Sequence, residues 1–152
     1  MKKYEITNET IHVYGKTFYR IKSLINFGNV TQGTLGGFIE KETNLSHDGN
    51  AWVFDNAIVY GDARVYGDAM VCGNAMVCGN ASVYGDAKVC GNARVYGDAM
   101  VFGNASVCSN ADYLCFAGLG RRNRNTTFFK CRDGYICVSC DGFHGNLVEF
   151  EN

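Results

Sequence analysis

Proline is absent from the 152 residues, so every bend must come from another residue type. Glycine, present 19 times, and asparagine and aspartate are the turn formers that remain, because they tolerate positive φ. An excess of one charge is also missing, with 14 Lys and Arg against 15 Asp and Glu. That excludes a general nucleic-acid or membrane-surface binder, which needs an overall basic balance. No apolar run approaches a membrane span, and the opening MKKYEITNET lacks the apolar core of a signal peptide. A cytoplasmic location is therefore expected, and with it reduced thiols for the eight cysteines.

What is present is dominated by a repeat. Alanine stands at 51, 57, 63, 69, 75, 81, 87, 93, 99, 105 and 111. Valine follows two residues after each alanine from Val53 to Val107, and Tyr113 ends the series. The unit reads Ala-x-Val, then Tyr, Cys or Phe, then usually Gly, then Asp or Asn. A spacing of six is incompatible with a straight amphipathic helix, whose apolar positions recur near every ~3.6 residues. Within a unit the alternation is that of a strand, with Ala and Val inward and the other two positions outward. Gly-Asp or Gly-Asn then makes a corner, and corners of one sense coil the chain. Stacked coils pair as parallel strands about 4.8 Å apart. An interior of Ala and Val alone must be narrow, and a triangle of three units is the smallest polygon that closes.

Three segments follow. Residues 1–48 form a strand-rich N-terminal cap, residues 49–114 the coil of about 3.5 turns, and residues 115–152 a C-terminal hairpin and tail. TTFFKC and YICVSC, joined by Arg132-Asp133-Gly134, read as the hairpin. GNLVEFEN reads as a short helical turn capped by Asn146, with Glu149 three residues on. The fold class expected is all-β.

The unit resembles that of the hexapeptide-repeat family, in which an aliphatic residue points inward and a small residue points inward two positions before it. The resemblance implies a parallel β-helix of left-handed sense. LGGFIEKETNLSHDGNAWVFDNAIVYGDA, with RRNRNTTFFK and CDGFHGNLVEF, is similar to small hexapeptide-repeat proteins of phages, prophages and gut bacteria. Enzymes of the family are commonly side-by-side trimers, which makes a trimer the assembly expected.

Stacking every third unit aligns the outer positions. One face carries Trp52, Met70, Lys88 and Ser106, the second Ile58, Met76, Arg94 and Asp112, and the third Arg64, Ser82 and Met100. Beside them run Phe54, Cys72, Cys90 and Cys108; Tyr60, Cys78 and Tyr96; and Tyr66, Tyr84 and Phe102. A continuous apolar surface of this size calls for a cover, either self-association or the terminal segments. Trp52, Ile58, Met70, Met76, Tyr60 and Tyr66 are the oligomer-interface candidates. Asn56, Asn74, Asn92 and Asn110 form a corner ladder read as structural rather than as a cation site.

Catalytic candidates are few. Acyltransferases of the family use a histidine as general base, and its carbonic anhydrases hold zinc with three. Here His12, His47 and His144 all lie outside the units, and no loop interrupts them. His47, at the mouth of the coil, could serve as a base but reads more simply as a cap residue. Cys72, Cys90 and Cys108 could bind a soft metal or approach disulfide distance, and read more simply as small apolar filler. Cys131, Cys137, Cys140 and His144 have zinc-like spacing, weighed against strand parity that sends Cys137 and Cys140 to opposite faces. No cofactor is expected.

Residues 117–132 hold five basic side chains and no acid, whereas residues 50–112 hold six Asp and three basic residues. Arg121, Arg122 and Arg124, with Phe128 and Phe129, are the binding candidates: guanidinium groups for anions, rings for bases. The function expected is that of a non-catalytic oligomeric binding protein. Its phage-like resemblance implies interference with a host defence system, by blocking a protein such as a CRISPR effector or by sequestering a nucleotide. A family enzyme and a pure scaffold are the alternatives.

Overall fold

The computed structural model describes residues 1–119, 122, 124–140 and 142–151. Strands β1 (Tyr4–Val13), β2 (Lys16–Ser23) and β3 (Leu35–Ile39) lead into two-residue strands, one per repeat unit. These are β4 (Trp52–Val53), β5 (Ile58–Val59), β6 (Arg64–Val65), β7 (Met70–Val71), β8 (Met76–Val77), β9 (Ser82–Val83), β10 (Lys88–Val89), β11 (Arg94–Val95), β12 (Met100–Val101) and β13 (Ser106–Val107). They stack on three faces, β4-β7-β10-β13, β5-β8-β11 and β6-β9-β12, with every pairing parallel. The result is a parallel β-solenoid of about four turns, as the six-residue spacing requires.

The shaft is dry and narrow. Alanines 51–105 of the series are wholly buried, and the valines from Val53 to Val107 are at most 1% exposed. Each buried valine side chain contributes about 1.5–3 kcal/mol, so stability grows coil by coil. The corners need positive φ, as at Gly79 (φ 69°), where a Cβ would also lie 2.9 Å from the backbone nitrogen of Gly97 one coil on. Asp55 replaces glycine at one corner with φ 55°, and its carboxylate accepts the Gly73 N–H at 3.0 Å. Stacking of the corner amides is partial: Asn74 donates to Asn92 at 3.4 Å, while Asn110 accepts from the Arg94 N–H at 2.8 Å.

A stack of parallel strands ends in unpaired backbone groups, and each end is closed by groups of opposite kind. At the N-terminal end the Lys3 ammonium donates to the carbonyls of Gly49 (3.2 Å) and Ala51 (2.8 Å). Asn44 donates to those of Gly61 (3.1 Å) and Ala63 (2.9 Å). Backbone N–H groups of Phe38, Glu40 and Ser46 serve Ala57, Val59 and Val65. At the far end, Asn110 serves Arg94 and the Thr127 hydroxyl accepts the Met100 N–H at 3.1 Å.

The N-terminal strands extend the second face in the order β1-β2-β3-β5-β8-β11, antiparallel until β3 joins β5 in parallel. Phe18 and Phe38 thereby cover Ile58. Tyr4 and Phe27 close over Trp52, with ring centroids 6.1 and 5.3 Å away.

The coil stops where glycine fails. Ser109 stands at the last corner with φ −147°, and residues 110–112 form a short 3-10 turn. Ala111 is exposed rather than inward. Asp112 leaves the second-face stack that its position in the repeat predicts: its carboxylate accepts the N–H groups of Cys108 and Ser109, both at 2.9 Å. The chain then forms an antiparallel sheet of β14 (Tyr113–Leu119), β15 (Arg124–Lys130), β16 (Ile136–Cys140) and β17 (Phe143–Asn146), followed by α1 (Leu147–Glu151). The expected hairpin is present as β15–β16, widened by a strand on either side. The helical turn has its expected cap, with reciprocal bonds of 2.9 Å between Asn146 and Glu149.

Candidate binding surface

The C-terminal sheet has two unlike faces. Thr127, Phe129, Cys131, Ser139 and His144 turn toward the solenoid. Phe129 and His144 meet the Phe102 ring at 5.1 and 4.8 Å, and Ser139 reaches the Met100 sulfur at 3.9 Å. Strand alternation therefore sends Leu114, Phe116, Arg124, Phe128, Lys130, Ile136 and Phe143 to the opposite face. There Phe128 contacts Phe116 and Phe150 at 6.5 and 6.4 Å, and Phe143 contacts Phe150 at 5.2 Å. Much of this cluster stays open to solvent: Leu114 is 51% exposed, Phe116 42% and Phe150 40%, with Ile136 also exposed.

Basic residues flank that apolar face. Arg122 is exposed in the β14–β15 turn, Arg124 begins β15, and Lys130 ends it, 3.9 Å from Asp112. Arg132 is committed elsewhere, donating to the Asp86 carbonyl and so fastening the sheet to the solenoid. Of the residues singled out in the sequence, Arg124 and Phe128 share this face by strand alternation, and Arg122 lies exposed in the adjoining turn. Phe129 does not share it: it is 1% exposed and belongs to the solenoid contact. Arg121 lies outside the described residues. The exposed Leu114, Phe116, Ile136 and Phe150 were not singled out, since YLCFAGL is an unbroken apolar run in which neither side stands out.

The oligomer candidates are redistributed. Trp52 is wholly buried and Ile58 8% exposed, both beneath the N-terminal strands, so neither offers an outer contact. The terminal segments supply that cover. Met70, Met76 and Tyr60 are half-buried, and Tyr66 remains exposed, stacked on Tyr84 at 4.9 Å. A hydrogen bond donated to Cys78, with burial, pushes the Tyr60 phenol up to about 12.

His47 lines a groove of about 700 Å³ with Glu42, Ser46, Arg64, Tyr66 and Ser82. Both its ring nitrogens are engaged: Nδ1 accepts the Lys3 N–H at 3.1 Å, and Nε2 faces Glu42 Oε1 at 2.9 Å. The ring stacks on Tyr4 at 4.3 Å. Both nitrogens are thereby held by residues of the N-terminal cap.

The cysteines depart from the expected reduced state. Cys90 pairs with Cys108 and Cys131 with Cys137, at Cα separations of 4.5 and 6.5 Å. Adjacent coils bring the first pair together; the β15–β16 turn brings the second. The zinc-like set is thereby dispersed. Strand β16 runs through Ser139, so Cys137 and Cys140 face opposite sides; Cys140 accepts from Thr126 at 3.0 Å, and His144 meets Ser139 at 3.3 Å.

Residues 93–109 match the YdcK Beta solenoid repeat family model. The matched stretch is about one coil, and it supports a repeat β-solenoid. No curated protein matches the chain. Among the described residues no helix is long and apolar enough to cross a membrane.

Proposed function

We propose that this is a non-catalytic binding protein that docks through the outer face of its C-terminal sheet onto an acidic, partly apolar protein surface. The observation that carries the reading is the concentration of exposed Leu114, Phe116, Ile136 and Phe150 on one face, edged by Arg122, Arg124 and Lys130. Apolar patches rimmed by charge are typical of protein contacts. A basic rim speeds encounter with an acidic partner and opposes a basic one. Burial of Phe129 takes away one of the two rings a nucleobase could stack on, which favours a protein over a nucleotide signal. The engaged nitrogens of His47 favour binding over family-type acyl transfer.

The finer reading places the chain with the left-handed hexapeptide-repeat proteins and with their phage and prophage members. On that resemblance the partner is a component of host defence, such as a CRISPR effector, met in the host cytoplasm. The binding form is a small homo-oligomer, a trimer, in which Tyr66, Tyr60, Met70 and Met76 contribute the self-contact.

The test is capture of a specific partner from host lysate by the parent and by the double variant Leu114→Glu, Phe116→Glu. Both side chains are about half exposed, so the variant is expected to stay folded, as circular dichroism and the melting temperature check. Its affinity for the captured protein falls about 30-fold, the loss of roughly 2 kcal/mol typical of a hot spot. Equal affinity in parent and variant would remove this face from the reading.

A further inference from the structure

A second feature lies on a different edge of the molecule and does not depend on the docking face. Cys72, Cys90 and Cys108 follow Val71, Val89 and Val107, which are paired in parallel register on consecutive coils. The backbone spacing is the same on both sides of Cys90: the Cys72 N–H donates to the Val89 carbonyl at 2.9 Å, and the Cys90 N–H to that of Val107 at 2.8 Å. The register therefore places the three cysteines in one file along the solenoid axis. Cys90 and Cys108 are bonded, and Cys72 is a free thiol on the next coil.

Exchange at a disulfide proceeds by a thiolate attacking one sulfur while the other departs. The entering sulfur must approach opposite the leaving one, because the empty orbital of the S–S bond points that way. A file of three cysteines supplies this arrangement, with Cys90 at the centre. We propose that this edge is an internal thiol–disulfide exchange site, in which the disulfide moves between Cys90–Cys108 and Cys72–Cys90 and delivers a reactive thiolate to the surface at Cys108.

In the step, the Cys72 thiolate attacks Cys90 Sγ, the Cys72–Cys90 bond forms, and the Cys90–Cys108 bond breaks. The electron pair leaves on Cys108 Sγ. One thiolate is consumed and one produced, so no external oxidant or reductant enters. Exposure gives the step a direction, since Cys72 is half-buried and Cys108 exposed. Burial pushes the Cys72 thiol above its ordinary range, so negative charge is better held by the solvated Cys108. The emerging thiolate suits small electrophiles or external disulfides as co-reactants.

The oxidised protein is incubated with iodoacetamide at mildly alkaline pH without reductant, digested, and mapped by tandem mass spectrometry. Carbamidomethylated Cys108 is expected together with a Cys72–Cys90 linked peptide. In Cys72→Ser, Cys108 stays unlabelled and the Cys90–Cys108 link persists. Cys72→Val, which fills the same half-buried position with an apolar side chain, gives the same protection if the serine variant folds poorly. Absence of the Cys72–Cys90 peptide in the parent, or equal Cys108 labelling in parent and variants, would overturn the proposal.

Discussion

Two single side chains decide how the coil begins. Lys3 is 1% exposed and holds two first-coil carbonyls. Its burial lowers the ammonium from 10.5 to about 8, against the pull of Asp48 and Asp68. Between about 8 and 10.5 the unfolded chain keeps a proton that the folded chain has released. Stability therefore rises with pH across that window, and the cost of the buried charge is fully present below it. Urea unfolding of the parent and Lys3→Met over this range should show the rise only in the parent. The variant should be less stable throughout, because the carbonyls of Gly49 and Ala51 lose their donor. Trp52 is the second. Its ring is wholly buried beneath Tyr4 and Phe27, while its indole nitrogen has no hydrogen-bond partner among the described residues. Trp52→Phe should change the unfolding free energy by less than about 1.5 kcal/mol, whereas Trp52→Ala should cost about 3–5 kcal/mol. A larger loss for phenylalanine than for alanine would contradict that packing.

At the scale of the element, the corner glycines separate two demands that usually coincide. Gly79 and Gly97 have nearly the same φ, 69° and 67°. A Cβ at Gly79 would strike the next coil at 2.9 Å, whereas one at Gly97 meets nothing within 4 Å. Gly97→Ala should cost about 1–2 kcal/mol, the left-handed penalty alone. Gly79→Ala should cost more, because the coils must also separate; thermal melts of the two variants compare them directly. The repeat made these corners and the ten short strands legible, since their spacing admits one periodic solution. The β15–β16 hairpin and the Asn146–Glu149 cap were legible for the same local reason. Strands β14 and β17 were not separated from their surroundings, because YLCFAGL follows the repeat without a break and FHGN contains a glycine. The cover over Trp52 and Ile58 was narrowed to two possibilities only, since it depends on contacts some forty residues apart, like the 41-residue separation between Tyr4 and its Leu45 acceptor. The Cys90–Cys108 bond lay between these cases: the 18-residue period placed the two in reach, but the choice between thiol and disulfide is not encoded in spacing.

For the whole molecule, the solenoid acts as a stiff body closed at both ends, and the proposed work falls to what projects from the second closure. Its inner face is committed to Met100, Phe102 and Asp98. Its outer face carries unsatisfied apolar area beside basic side chains. Of the binding candidates read from the sequence, Arg122, Arg124 and Phe128 lie in this region, because charge clustering is visible along the chain. The apolar half of the surface was hidden, since alternation shows which residues oppose each other but not which side meets the solenoid. Hydroxyl-radical footprinting of the protein alone and with its captured partner tests the docking claim most directly. The account predicts protection of Leu114, Phe116, Ile136 and Phe150, with Tyr14 and Tyr96 labelled equally in both states. Protection confined to Tyr14 and Tyr96, with the C-terminal face still labelled, would contradict it.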